Sequence, residues 1–154
     1  MSQFQNMNQV TQTPIKGRIA NVPNPATLSV QISPNSTQTL YPGSAVVLTT
    51  DTANMIVVDK STPSQNIFVF VCWNSKKPNG WTAAQKVEIA LPGSVMEMES
   101  AAAYNRGAIL YQVVLNDQVT SSSAGGATPI GIALDNAAGA NVLTRVYIQI
   151  GLTV

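Results

Sequence analysis

Near the end of this chain Val142, Val146, Ile148 and Ile150 fall on one parity, and Arg145, Tyr147 and Gln149 fall on the other. A period of two gathers the apolar members on one face of a β-strand and would scatter them around a helix. Just upstream, Pro129 to Leu134 is a second apolar run. Asp135 to Asn141 between the two supplies Asp, Asn, Gly and Ala, which take up turn conformations with little bulk. Pro129 to Ile150 therefore reads as strand, loop and strand, closed like a hairpin over a core.

The rest of the chain is written in the same style, as short apolar runs cut by Pro and Gly. Strands are expected at Ile15 to Ala20, at Thr27 to Ile32, from Ala45 to Thr49, at Met55 to Asp59 and from Ile109 to Leu115. Tyr41-Pro42-Gly43-Ser44 is expected as a turn, because Pro presets the first central position and Gly accepts positive φ at the second. Asn66 to Trp73 is apolar on both parities, as befits a central strand buried on both faces. Lys76 to Gly80 reads as a turn with its charges in solvent.

Lys86 to Leu91 and Ser94 to Glu99 are expected to pair antiparallel around Pro92-Gly93. Ile89 would then face Met96, Val87 would face Met98, and Glu88 would lie opposite Glu97. Ser100 to Asn105, with three alanines, could form one short helical turn ahead of Arg106-Gly107. Ser121 to Gly126 is a flexible loop. No internal repeat is visible. The expected fold class is all-β: a compact β-barrel or sandwich, with an extended N-terminal arm and at most a short helical turn.

A chain of 154 residues suits one β domain over residues 15–154, preceded by an arm over residues 1–14. The arm is rich in Gln and Asn, with Phe4, Met7 and Val10 too sparse for an amphipathic element. It is either a frayed terminus or a segment that orders along a partner's sheet edge. Charged residues are 10% of the chain and the formal net charge is +1, with no basic stripe to neutralise phosphates. Nucleic acid is not an expected partner. No apolar run reaches the roughly 20 residues of a membrane span, and the N-terminus lacks a secretory pattern, so synthesis in a cytoplasm is expected. Cys72 is the single cysteine and reads as a buried small hydrophobe.

The chain has no histidine, which removes His-containing triads, Cys-His dyads and the usual His-bearing zinc sites. No Gly-rich phosphate loop is present. Glu88 and Glu97 are the one carboxylate pair that raises glycoside hydrolysis; relief of their repulsion in the isolated subunit by solvent or by a neighbour's Arg or Lys is the better reading. Asp135, Asn136 and Asn141 could offer oxygens to a hard cation, but they include one carboxylate, and Asx turns account for them. Trp73, Trp81 and Tyr147 could line a sugar platform, or sit in core, rim or interface. No enzyme, cofactor, metal or small-molecule substrate is expected.

The order Leu40-Tyr41-Pro42-Gly43-Ser44-Ala45-Val46, Lys86 to Leu91, Asn105-Arg106-Gly107-Ala108, then Pro129-Ile130-Gly131-Ile132-Ala133-Leu134-Asp135 and a last alternating strand resembles the capsid decoration (cement) proteins of tailed bacteriophages. The resemblance runs from Leu40 to the C-terminus. Many members of that family carry Gly-Asp where this chain has Gly43-Ser44 and Gly107-Ala108. It implies a β-tulip-like barrel on the outer surface of an icosahedral capsid. It also implies homotrimers at threefold and quasi-threefold positions, the major capsid protein as partner, and location in the virion. By the same resemblance Ser2, Gln3, Phe4, Gln5, Asn6, Met7, Val10 and Pro14 belong to the capsid-binding arm. Arg18, Trp81, Arg106, Arg145 and Tyr147 are further interface candidates, the arginines because a guanidinium binds carboxylates bidentately. The alternative is a carbohydrate- or receptor-recognition module of a head or tail fibre that uses exposed aromatics.

Overall fold

Among the described residues ten short strands form two sheets, and each sheet closes on itself as a ring of five. The computed structural model describes residues 16–20, 27–60, 69–72, 77, 79–113, 117–124 and 129–149. The first ring holds β1 (Thr27–Ile32), β2 (Ala45–Thr50), β3 (Ile56–Lys60), β4 (Val69–Val71) and β5 (Lys86–Ala90), in the order β1-β3-β2-β4-β5. The second holds β6 (Val95–Ser100), β7 (Ile109–Val113), β8 (Gln118–Thr120), β9 (Pro129–Ala133) and β10 (Leu143–Ile148), in the order β10-β6-β8-β7-β9. The described residues contain no helix, so the class is all-β. The turn expected over Ser100 to Asn105 is instead an irregular link in which Tyr104 bridges Ala137. Tyr104 is drawn there by exchanging both backbone hydrogen bonds with Ala137, at 3.0 and 2.9 Å, which a helical turn would forgo.

The two rings have the same topology and the same register. β1 runs antiparallel to β5 with Thr27 opposite Ala90, and β6 runs antiparallel to β10 with Val95 opposite Tyr147. The one parallel pairing in each ring joins its first and third strands, Gln31 to Val57 and Glu99 to Gln118. Ala45 lies opposite Phe70 and Phe70 opposite Ala90; Ile109 lies opposite Ile132 and Ile132 opposite Tyr147. Each ring also carries one isolated bridge in the same place, Leu40 with Trp81 and Tyr104 with Ala137. Here the large side chain changes sides: an indole from the second position fills one barrel, a phenol from the first fills the other. Among strand residues matched in this way, Val58 and Val119 are the one identical pair, so the repeat is invisible to sequence comparison.

Strand parity sorts the cores. Val30, Ile32, Val46, Val58, Val71, Val87 and Ile89 point into the first barrel and pack with Leu40 and Trp81. Ala45, Phe70, Cys72 and Ala90 point out of it and join the interior of the second barrel, with Met98, Leu110, Val119 and Val146. β4 is thus buried on both faces, as its double-parity apolarity predicted, with Phe70 and Val71 fully buried. Lys60 seals the contact between barrels through an ion pair to Asp117 at 3.3 Å.

The expected pairing of β5 with β6 does not occur. Pro92-Gly93 does make a turn, closed by the Ser94 amide on the Leu91 carbonyl, with Gly93 at φ 96°. Both edges of β5 are already taken by β1 and β4, so the chain leaving the turn enters the other barrel. Glu88 lies opposite Ser29 and Glu97 opposite Arg145. The C-terminal strand-loop-strand forms as expected, β9 on β10 with Val146 and Ile148 inward.

Gly131 on β9 lies against the backbone of β10. A Cβ there would meet the Tyr147 carbonyl oxygen at 2.2 Å, and backbone cannot rotate away. Gly131→Ala should lower unfolding free energy by about 3 kcal/mol, as overpacking does. Gly139→Ala, with open space at its Cβ, should change it by less than about 0.5 kcal/mol. Urea denaturation of the two variants checks the contrast.

Candidate interaction surface

The N-terminal segment defines the most distinctive local geometry. β6 is flanked along one edge by β10, but β8 covers only Glu99 and Ser100 of the other edge. Residues 17–20 fill the remainder as an added antiparallel strand, with Ile19 bridging Met96. The Gly17 amide donates to the Glu97 carbonyl at 2.7 Å, the Glu97 amide to the Arg18 carbonyl at 2.8 Å, and the Ala20 amide to the Val95 carbonyl at 2.8 Å. This satisfies backbone groups that an open edge would leave to solvent or to another chain. Gly17 is required because its φ is 77° and a Cβ would meet the Gly43 nitrogen at 2.7 Å. The expected strand at Ile15 to Ala20 is therefore a short graft on another barrel's edge; Ile15 itself lies outside the described residues.

Side chains lock the graft. Arg18 donates to Glu97 at 2.7 Å, with both side chains largely withdrawn from solvent, and Lys16 pairs with Glu99 at 3.5 Å. Glu99 also accepts from the Gln118 amide at 2.7 Å. Glu88 and Glu97 do not face each other, so the repulsion expected between them does not arise; Arg18 pairs with Glu97 within the chain and is a structural anchor here rather than an exposed contact.

The second candidate surface is the outer face of the second barrel. In the first barrel, the outward row Ala45, Phe70 and Ala90 is the face that docks on its sister. Its counterparts in the second barrel are Ile109, Ile132 and Tyr147, followed by Val95 opposite Tyr147. Tyr147 is exposed and the other three are half-buried, so this row is an apolar stripe on the molecular surface. Arg145 stands beside it on the same strand, held by Asp135: Nε and Nη2 donate to the two carboxylate oxygens at 2.9 and 2.7 Å. The Arg145 amide also donates to Asp135 at 2.9 Å. These bonds hold the Asp135 carboxyl below its ordinary range, and the carboxylate in turn raises Arg145.

The other sequence candidates fall in different places. Trp81 is core, not interface: its indole is buried in the first barrel beside Leu40, because the Leu40 bridge turns that segment inward. Arg106 is exposed in the turn before β7, where its amide donates to Asn136 Oδ1 at 2.7 Å. With Trp81 buried and Trp73 outside the described residues, the three-aromatic platform does not assemble among the described residues. Asp135, Asn136 and Asn141 are each engaged by protein donors, Asn141 by Gln118 at 2.8 Å. No group of three His, Cys, Asp or Glu side chains suited to a metal is found among the described residues. Cys72 is buried, and desolvation, aided by the Glu88 charge, pushes its thiol up to about 12, so the nucleophilic thiolate is not formed at neutral pH. The arm residues Ser2, Gln3, Phe4, Gln5, Asn6, Met7, Val10 and Pro14 lie outside the described residues. Sequence reasoning named Tyr147 but missed Ile109 and Ile132, whose place in the row appears once barrel register shows which parity faces out.

The chain matches no protein-family model and no curated protein.

Arg18→Ala leaves the Glu97 carboxylate without its arginine in a buried setting, and should lower stability by about 3 kcal/mol in urea denaturation. Asp135→Asn removes a solvent-screened pair and should cost under about 1 kcal/mol at pH 7. The folded carboxyl has the lower pKa, so its contribution is complete above the unfolded value of about 3.9 and fades as pH falls through the folded one. Wild type and Asp135→Asn should therefore converge in stability on acidification.

Proposed function

We propose that this chain is a virion structural protein that binds the outer surface of an icosahedral phage capsid and reinforces the expanded shell, as trimers at threefold and quasi-threefold sites. The observation that carries the reading is the graft of residues 17–20 on β6. The chain's N-terminal portion is already used to complete a sheet edge, and the uncharged arm immediately before it is suited to do the same on a capsid subunit. The apolar row Ile109, Ile132 and Tyr147 with Arg145 beside it supplies a second surface of the mixed apolar and arginine character that interfaces favour. The motif order of the resemblance supports the same reading, and Pro42-Gly43 and Arg106-Gly107 occupy equivalent turns before the second strand of each barrel.

On this reading the protein acts mechanically and not as an enzyme. A subunit that touches several capsid subunits gains from multivalency, so modest contacts together resist internal pressure. Binding the expanded shell and not its precursor stabilises the expanded state by linkage. The partner is the major capsid protein, and the protein resides in the virion.

Removing residues 2–14 should leave the barrels folded, with unchanged strand content by circular dichroism, while occupancy on expanded shells falls several-fold by quantitative gel densitometry. Full occupancy without the arm would remove the basis of the assignment.

A further inference from the structure

The matched registers of the two barrels expose one unmatched feature. On β6 the edge beyond β8 is filled by residues 17–20; on β1 the equivalent edge beyond β3 is Thr27 to Ser29, and among the described residues no segment pairs with it. The direction of the backbone groups follows from their neighbours. The Ile32 amide donates toward β5, to Gln85, and the Ser33 amide toward β3, to Val58. Alternation along a strand then aims the Ser29 amide and the Thr27 and Ser29 carbonyls at the open side. Their counterparts on β6 are the Glu97 amide and the Val95 and Glu97 carbonyls, the same three groups that Arg18, Ala20 and Gly17 engage.

Side chains tell the same story. Met96, the counterpart of Leu28, is fully buried beneath Ile19, whereas Leu28 is 46% exposed. Extending the parallel register from Gln31 and Val57 sets Ile56 level with Val30, so the end of the β2–β3 hairpin overhangs the same mouth. Leu48, Met55 and Ile56 of that hairpin are 42%, 60% and 65% exposed. Gln112 and Asp117, which match Leu48 and Ile56 in the second barrel, are buried. A strand edge with no partner among the described residues, beside exposed Leu28 and the exposed hairpin end at Met55 and Ile56, is a strand-accepting groove.

We infer that the β1 edge of each subunit accepts the N-terminal arm of a second copy of this chain, laid antiparallel to β1 as residues 17–20 lie on β6. The arm is the segment that directly precedes the one filling the twin groove. Residues 1–15 contain no charged side chain, so none has to be desolvated against Leu28, Met55 and Ile56. Extended, the arm reaches up to about 45 Å from Lys16, ample to cross to a neighbour. Four residues suffice on β6, so an arm engaged on a neighbour retains length for the shell. The inference rests on barrel geometry and deepens the shell reading, since exchanged arms would tie decorating subunits to one another.

Complementation in free solution tests it without any shell. One variant lacks residues 2–14 and keeps the groove; the other, Ser29→Pro, keeps the arm and loses the amide that faces the open edge while leaving the β5 ladder intact. Neither should self-associate in sedimentation equilibrium at concentrations where the full chain does, each being weakened about tenfold or more. Mixed, they should form a one-to-one complex in which the Ser29 amide of the truncated copy becomes protected from hydrogen exchange. Leu28→Asp, which preserves every backbone group, should reproduce the block if Ser29→Pro misfolds. A full chain that stays monomeric, association that survives both changes, or a mixture that fails to pair would overturn the exchange, and shell binding by the full chain would still be judged separately.

Discussion

Ring closure is the constraint on which this structure depends. A strand in a five-membered ring gives one edge to each neighbour, and the fold is complete only where neighbouring strands are equally long. They are not. β1 and β6 have six residues each, while β3 and β8 pair with only the last two of those six. The shortfall on β6 is met by residues 17–20, which bring Arg18 to Glu97 and Ile19 onto the core. The shortfall on β1 has no partner among the described residues. One topological fact thus accounts for the anchored N-terminal segment and for the exposed Leu28 at the β1 edge.

The two barrels share a core but use their faces differently. Small and flat side chains, Ala45 and Ala90 around Phe70, let the first barrel sit close on the second. At the matching positions the second barrel has Ile109, Ile132 and Tyr147, which extend from the surface and leave a stripe suited to a partner. The Leu40 and Trp81 bridge and the Tyr104 and Ala137 bridge show the same divergence inside: one bulky ring per barrel, supplied from opposite sides. A repeated frame with unlike faces binds itself once and remains free to bind something else.

Local pattern made much of the fold legible. Thr27 to Ile32 is β1 to the residue, the alternation of Val146 and Ile148 with Arg145 and Tyr147 marks both faces of β10, and Tyr41 to Ser44 is the turn that Pro42 and Gly43 require. What failed was partner choice. Lys86 to Leu91 and Ser94 to Glu99 have compatible faces around a turn, and nothing in that stretch reveals that β1 and β4 already hold both edges of β5. The repeat was hidden because packing asks only for apolar volume at matched positions, and Val58 with Val119 is the sole pair that kept its identity. Trp81 was read as a possible surface aromatic because a bridge to a residue 41 positions earlier, Leu40, leaves no local trace. Of the candidate surface, Arg145 and Tyr147 were visible as the polar parity of a strand; their companions Ile109 and Ile132 needed the register.

The reading of this protein as a shell-binding subunit brings these features to one purpose: an arm without charged side chains for edge addition, and an apolar stripe with an arginine clamp. The measurement that addresses it most directly is cosedimentation of the purified full chain with expanded, empty tailed-phage capsids from its source, followed by imaging of the complexes. Saturable binding with density over the threefold and quasi-threefold positions is the predicted result. A chain that stays in the supernatant at saturating capsid, with bare shells in the images, would contradict it.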